Sequence, residues 1–205
     1  MRARPADLVM LSLAALGIWL IAAGAYIHAK AFVAQYLLNY SWAETLAGRS
    51  KAKPWPWADT WPVARLRAPE HQVDLVVLAG ANGRTLAFGP GHLDGTPLPG
   101  NPGNSVISAH RDTHFRFLKD MRLGDELDVQ TADEREHRFR VISMQVVDAR
   151  HVSLVEDTAR SMLTLITCYP FDALVAGGPL RYVVVAEQVP VLAKNGQRLP
   201  WPRSD

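Results

Sequence analysis

Chemistry in this chain starts from its single cysteine, Cys168, which closes the β-branched apolar run Leu163-Thr164-Leu165-Ile166-Thr167. A cysteine in such a run is ordinarily an inert small hydrophobe of the core. Here Tyr169-Pro170 follows at once and ends strand pairing, so the sulfur is expected at a strand end, where it can open into a cleft. A thiol with an ordinary pKa of about 8.5 is a poor nucleophile at neutral pH and needs a base and a cationic or dipolar partner. His110, at the end of Asn104-Ser105-Val106-Ile107-Ser108-Ala109, offers an imidazole suited to exchanging protons with a thiol and a leaving amine. Arg181 comes thirteen residues after the cysteine, past Gly177-Gly178-Pro179, at the start of another β-branched run. Its rigid fork of donors can hold a carbonyl or stabilise an oxyanion. Singly, each has an ordinary structural reading; together they point to nucleophilic acyl chemistry.

Such groups need rigid strands beneath them. Short β-like runs lie at 73–78, 85–88, 106–109, 126–129, 139–142, 162–168 and 180–186, separated by Asn82-Gly83, a long segment over 89–103, Gly124-Asp125 and Gly177-Gly178-Pro179. About seven or eight short strands at this spacing argue for a mainly β fold closed, or nearly closed, into a barrel. Helical pieces are expected only over 115–121 and 152–159. His92 and Asp94 in the long segment read as solvated loop residues, and the tail from Lys194 reads as loose.

Ahead of the barrel, residues 8–27 contain no charge and are long enough to span a bilayer. Arg2 and Arg4 place the short N-terminal side in the cytoplasm, so the remainder is expected in the periplasm behind a single-pass inner-membrane anchor. Ala29-Lys30-Ala31 offers a signal-cleavage pattern, but the apolar run exceeds the roughly 7–15 residues of a signal core, which favours an uncleaved anchor. Helical spacing over 32–46 continues the anchor to Gly48. A connector rich in Pro and Trp follows, whose Trp55, Trp57 and Trp61 can rest at a lipid interface or pack on the domain. The expected divisions are an anchor at 1–30, a juxtamembrane helix and connector at 31–62, a catalytic barrel at 63–190 and a polar tail at 191–205. A lone cysteine excludes an intrachain disulfide, and a free thiol in an oxidising compartment is a liability whose presence implies a use. The net charge of +2, without a basic stripe, argues against nucleic acid as a partner.

These residues resemble the sortase family. Thr164-Leu165-Ile166-Thr167-Cys168 is similar to its TLxTC signature, His110 closes a strand as the sortase histidine does, and Arg181 lies where the sortase arginine follows the cysteine. The strings His110-Arg111-Asp112-Thr113-His114-Phe115 and Cys168-Tyr169-Pro170-Phe171-Asp172-Ala173 most resemble the Gram-negative class. The resemblance implies an eight-stranded sortase-type β-barrel and a cysteine transpeptidase. Its partners would be a secreted or membrane-tethered protein with a C-terminal sorting signal and an amine acceptor, with the bilayer holding residues 8–27. Cys168 would form a thioacyl intermediate. Arg181 would hold the oxyanion, helped by backbone amides near the cysteine, and His110 would move protons. Thr167 and Arg111 would be supporting residues; strand parity turns Thr167 away from the thiol, and Arg111 has a structural or electrostatic task.

No cofactor or metal is expected. The acidic residues Asp112, Asp120, Asp125 and Glu126 do not form a calcium-loop spacing. Three other readings stay open. His110 and His114, four apart, would bind zinc with Asp112 or Cys168, although Arg111 replaces the glutamate of the metalloprotease motif. A cysteine endopeptidase on the same scaffold would use water as acceptor. A non-catalytic anchored periplasmic domain would bury Cys168 and merely bind a partner.

Overall fold

The computed structural model describes residues 5–150, 159–173 and 177–190. The charge-free apolar run forms part of one helix, α1 (Pro5–Leu46), long and apolar enough to cross a membrane. Its end is set by Gly48 at φ +88, a left-handed position that glycine adopts without a Cβ clash. The chain divides into two compact units between Leu37 and Leu38. In the first, Leu11, Ile18, Trp19, Ile21 and Ile27 are exposed. In the second, the end of α1 buries Leu38 and Trp42 with Val76, Leu78, Leu46 and Phe88.

Eight strands form a closed barrel: β1 (Pro62–Ala68), β2 (Val73–Ala79), β3 (Gly91–His92), β4 (Gly103–Ser108), β5 (Glu126–Thr131), β6 (Glu136–Asp148), β7 (Ser161–Cys168) and β8 (Leu180–Val189). Round the barrel the order is β1-β2-β3-β4-β7-β8-β6-β5, closed by pairing of β5 with β1. Closure gives each strand a neighbour on both sides, although two-residue β3 pairs with β2 only at Leu78 and Ala79. Most neighbours are antiparallel; β2–β3 and β4–β7 are parallel. Alternate side chains fill the interior, among them Leu66, Ile107, Leu127, Val129, Phe139, Leu163, Leu165 and Val184. Each fully buried aliphatic or aromatic side chain contributes roughly 1.5–3 kcal/mol by leaving water. Phe115 and Leu118, the latter from the 3₁₀ turn Arg116–Asp120, join the same core.

Four expectations are corrected. Residues 85–88 are not a strand: Asn82 Oδ1 accepts hydrogen bonds from the amides of Arg84 and Thr85 and caps a helical turn, α2 (Gly83–Leu86). β1 was not anticipated, although its alternation of inward Ala64, Leu66 and Ala68 with Arg65 and Arg67 lay in the sequence. β3 was not anticipated either, because two residues carry no period; pairing with both β2 and β4 creates it. His92 is buried, its Nε2 lying 3.0 Å from the Pro97 carbonyl and 3.1 Å from Thr96 Oγ1, so the loop folds around the ring. In the connector, Trp55 packs edge-on against Phe88, Lys51 stands over Trp61, and Trp57 is exposed. The helical piece expected at 152–159 lies almost wholly outside the described residues, as does the tail from 191.

Candidate active site

The site sits where β4 and β7 end and β8 begins. Parallel pairing of β4 with β7 places Val106 beside Thr164, Ile107 beside Leu165 and Ser108 beside Ile166. Two residues further on, each chain reaches its reactive group, so His110 and Cys168 leave neighbouring strands at the same level. The Ala109 amide donates to the Ile166 carbonyl at 3.2 Å, and Thr167 Oγ1 donates to the Ala109 carbonyl at 2.8 Å. On the other side of β7, antiparallel pairing makes Cys168 and Arg181 direct partners. Such partners have Cα atoms about 4.5–5.5 Å apart. Cys168 and Arg181 are half-buried and His110 is exposed.

Parity decides what faces what. Leu163 and Leu165 point into the barrel, and Thr167 shares their side, buried against the Ala109 carbonyl. Ile166 points outward into a second cluster with Val106 and Val183, flanked by Val147 and Val185. Cys168 shares the parity of Ile166, and Arg181 that of Val183, so thiol and guanidinium belong to this outer apolar face. Thr167 thus acts on the chain beneath the imidazole, holding β7 to the residue before His110.

Arg181 Nη1 donates to the carbonyls of Gly178 at 2.8 Å and Leu180 at 2.9 Å. The Tyr169 amide donates to the Leu180 carbonyl, and Pro170, joined by a cis peptide bond, has no N–H. The two residues after the cysteine therefore present no available amide to an oxyanion in this arrangement, which narrows the expected backbone contribution. Arg111 is buried and its Nη2 donates to the Ala173 carbonyl at 3.0 Å. His114 has its pKa lowered by burial and then by the nearby His110, against the opposing pull of Asp112. Among the described residues no group of three or more His, Cys, Asp or Glu side chains is arranged to hold a metal.

Sequence reading did not anticipate the aromatic packing behind the thiol. Tyr169 stacks on Tyr182 at 6.3 Å between centroids, and Phe171 meets Tyr182 edge-on at 5.3 Å. Phe171 and Tyr182 lie against the barrel core, and burial, then Tyr169, pushes the Tyr182 hydroxyl pKa up. The run Tyr169-Pro170-Phe171 was the available signal.

Fold and site together define a closed β-barrel protein with a thiol centre at a strand end, flanked by an arginine and a histidine. The chain belongs to the sortase family, a family of cysteine transpeptidases: a profile described as Sortase domain matches residues 66–189. Sortase D of Bacillus subtilis is 30% identical over 125 residues, covering 60% of this chain and 62% of that protein. The chain thus spans less than two thirds of that relative's length. Sortase C-1 from Actinomyces oris is similar in structure at a TM-score of 0.56, with 33% identity over 63% of this chain and 76% of that one. Sortase A from Corynebacterium diphtheriae, at 23% identity, shares the fold with a TM-score of 0.58 over 78% of this chain and 83% of its own.

Proposed function

We propose that this chain is a membrane-anchored cysteine transpeptidase that cleaves a C-terminal sorting motif and transfers the acyl part to an amine. One observation carries the reading: Cys168, which bears the lone thiol, is the cross-strand partner of Arg181, while the parallel strand beside it brings His110 to the same level. Cys168 Sγ attacks the motif carbonyl as its proton passes to His110. Arg181 turns its Nη2 and Nε donors to the developing oxyanion. The tetrahedral adduct collapses as His110 protonates the departing amine, leaving a thioester. An incoming amine, deprotonated by His110, attacks that thioester and restores the thiol. Thr167 holds the two reacting strands in register.

Helix α1 supports a single-pass anchor. Arg2 and Arg4 on the short side favour a cytoplasmic N-terminus and a barrel across the membrane; an inner membrane and a periplasmic barrel follow only from the Gram-negative resemblance. The narrower Gram-negative class rests on the two strings from His110 and Cys168 alone. It draws no support from the relatives named above, which are sortases of Gram-positive bacteria.

The test uses the full chain in detergent with peptides bearing Leu-Pro-x-Thr-Gly-like motifs, with and without added amine, beside Cys168→Ala. Mass spectrometry should show a thioacyl adduct on Cys168 that becomes an amine-linked product. Acid as the sole product under abundant amine would make the chain an endopeptidase. Absence of any adduct across a broad peptide set, with Cys168 closed to alkylation, would leave only the binding-domain reading.

A further inference from the structure

We infer that Arg111 is a positioning residue for acyl transfer: its guanidinium grips the chain that leaves Cys168 and fixes it to the chain that carries His110. The inference rests on the transpeptidase reading above. Arg111 is only 9% exposed. Burying a guanidinium is unfavourable unless its donors are engaged, and Nη2 donates to the Ala173 carbonyl across 62 residues of sequence.

The place of this bond matters. Residues on either side of His110 are each tied to residues around the thiol: Ala109 through its carbonyl to Thr167 Oγ1, and Arg111 through Nη2 to Ala173. The imidazole lies between two clasps. The first sets the level of β7 before the cysteine; the second sets the course of Tyr169 to Ala173 after it. That segment makes a tight turn, its Ala173 amide reaching the Pro170 carbonyl at 3.4 Å. The connection from β7 to β8 is therefore held by a guanidinium at each shoulder, Arg111 at Ala173 and Arg181 at Gly178. Both carbonyl bonds of Arg181 come from Nη1, so its Nη2 and Nε donors can turn to a substrate oxyanion, whereas Arg111 need not move. Its grip keeps the segment placed while Arg181 is engaged elsewhere.

Arg111→Met separates the donor from the bulk, since methionine fills a similar apolar volume and donates nothing. Arg111→Lys restores one donor. With the full chain in detergent, Arg111→Met should lower kcat for peptide transfer roughly 10- to 100-fold with little change in KM, the penalty of small misplacement between reacting groups. Arg111→Lys should recover part of that loss. Hydrogen exchange gives a second readout that does not need turnover: the amides of Tyr169 and Ala173 should exchange faster in Arg111→Met than in the parent, while the β1 and β5 amides do not change. Unchanged kcat, or unchanged exchange at Tyr169 and Ala173, in a folded Arg111→Met protein overturns the inference. Faster exchange spread over the whole barrel also overturns it, because the residue would then be an ordinary stabiliser. If the parent chain acylates no peptide, the transpeptidase reading falls, and exchange still decides whether Arg111 places the segment.

Discussion

Two outer faces of one barrel follow opposite rules. On β1, β2, β5 and β6, outward side chains form a lattice of ion pairs: Arg65 with Asp74, Arg67 with Glu136, Arg138 with Asp128, and Arg140 with Glu126. On β4, β7 and β8 the outward row includes Val106, Ile166 and Val183, all buried, beside Thr164, which donates to Asn104 Oδ1, and it ends in Cys168 and Arg181. β1, β5 and the first half of β6 have one wet side and read as alternating sequence, whereas β2 is wet outside only at Asp74, its Val76 and Leu78 being buried with Leu38 and Trp42. The strands bearing the thiol and guanidinium are apolar on both sides over their middles, at Leu165 to Ile166 and Val183 to Val185. A stave apolar on both sides has its outer face covered as well as its inner one. Two stretches of the barrel are covered in this way: the end of β2, buried with Leu38 and Trp42, and the outer row of β4, β7 and β8 that runs to Cys168 and Arg181.

The comparison breaks if residues on the two faces respond alike. The largest effect is expected from His110→Ala, which should lower kcat for peptide transfer by roughly 10²–10⁴-fold, the usual contribution of a general acid–base group. A loss below tenfold would remove His110 from that role. Next comes Ile166→Ala on the apolar outer face, expected to destabilise the barrel by about 2–5 kcal/mol in a denaturant titration. A near-neutral result would mean that this face is loosely covered. Thr167→Val removes the buried bond to the Ala109 carbonyl and should weaken stability by about 1–3 kcal/mol, with a fall in kcat. Normal kcat in this variant would show that register at His110 does not depend on the hydroxyl.

A fourth test concerns the end of the barrel far from the thiol. His137 sits inside, Nδ1 3.0 Å from Gln188 Nε2, with its ring where a Cβ on Gly100 would lie. Burial, then Arg135, lowers its pKa, while Asp133 and Glu136 oppose the shift. As pH falls through about 6.5 the unfolded chain takes up the proton first, so stability present above that pH is lost on further acidification toward the lower native pKa. The Tm should drop between pH 7 and 5. His137→Asn should flatten that dependence, with His114, lowered in the same direction, retaining its own share. A slope unchanged by the substitution would rule out His137 as a source. The smallest effect is expected on the charged face: Arg65→Gln should change stability by only about 0.2–1 kcal/mol and leave transfer intact, as exposed pairs do.

Much of the candidate site was legible because its members stand at strand ends with recognisable runs behind them. Cys168 and Arg181 follow or begin continuous β-branched strands, and Tyr169-Pro170 marks the break. β1 escaped notice although its alternation lay in the sequence; other features that did so lacked a local signal of their own. Two-residue β3 has no period, and Asn82 overrode the apparent strand at 85–88 with a cap. The bond from Arg111 to Ala173 joins positions too distant in sequence for any spacing to connect.

Residue order therefore specified an apolar N-terminal helix, alternating and continuous strands, and a lone thiol with a histidine and arginine, because periodicity and side-chain chemistry are local properties. Closure of the barrel, the parallel register that levels His110 with Cys168, and the clasps at Ala109 and Ala173 arise from pairing between distant segments. Those pairings set which reactive groups meet, since a shift of one residue in register would turn Cys168 to the opposite face.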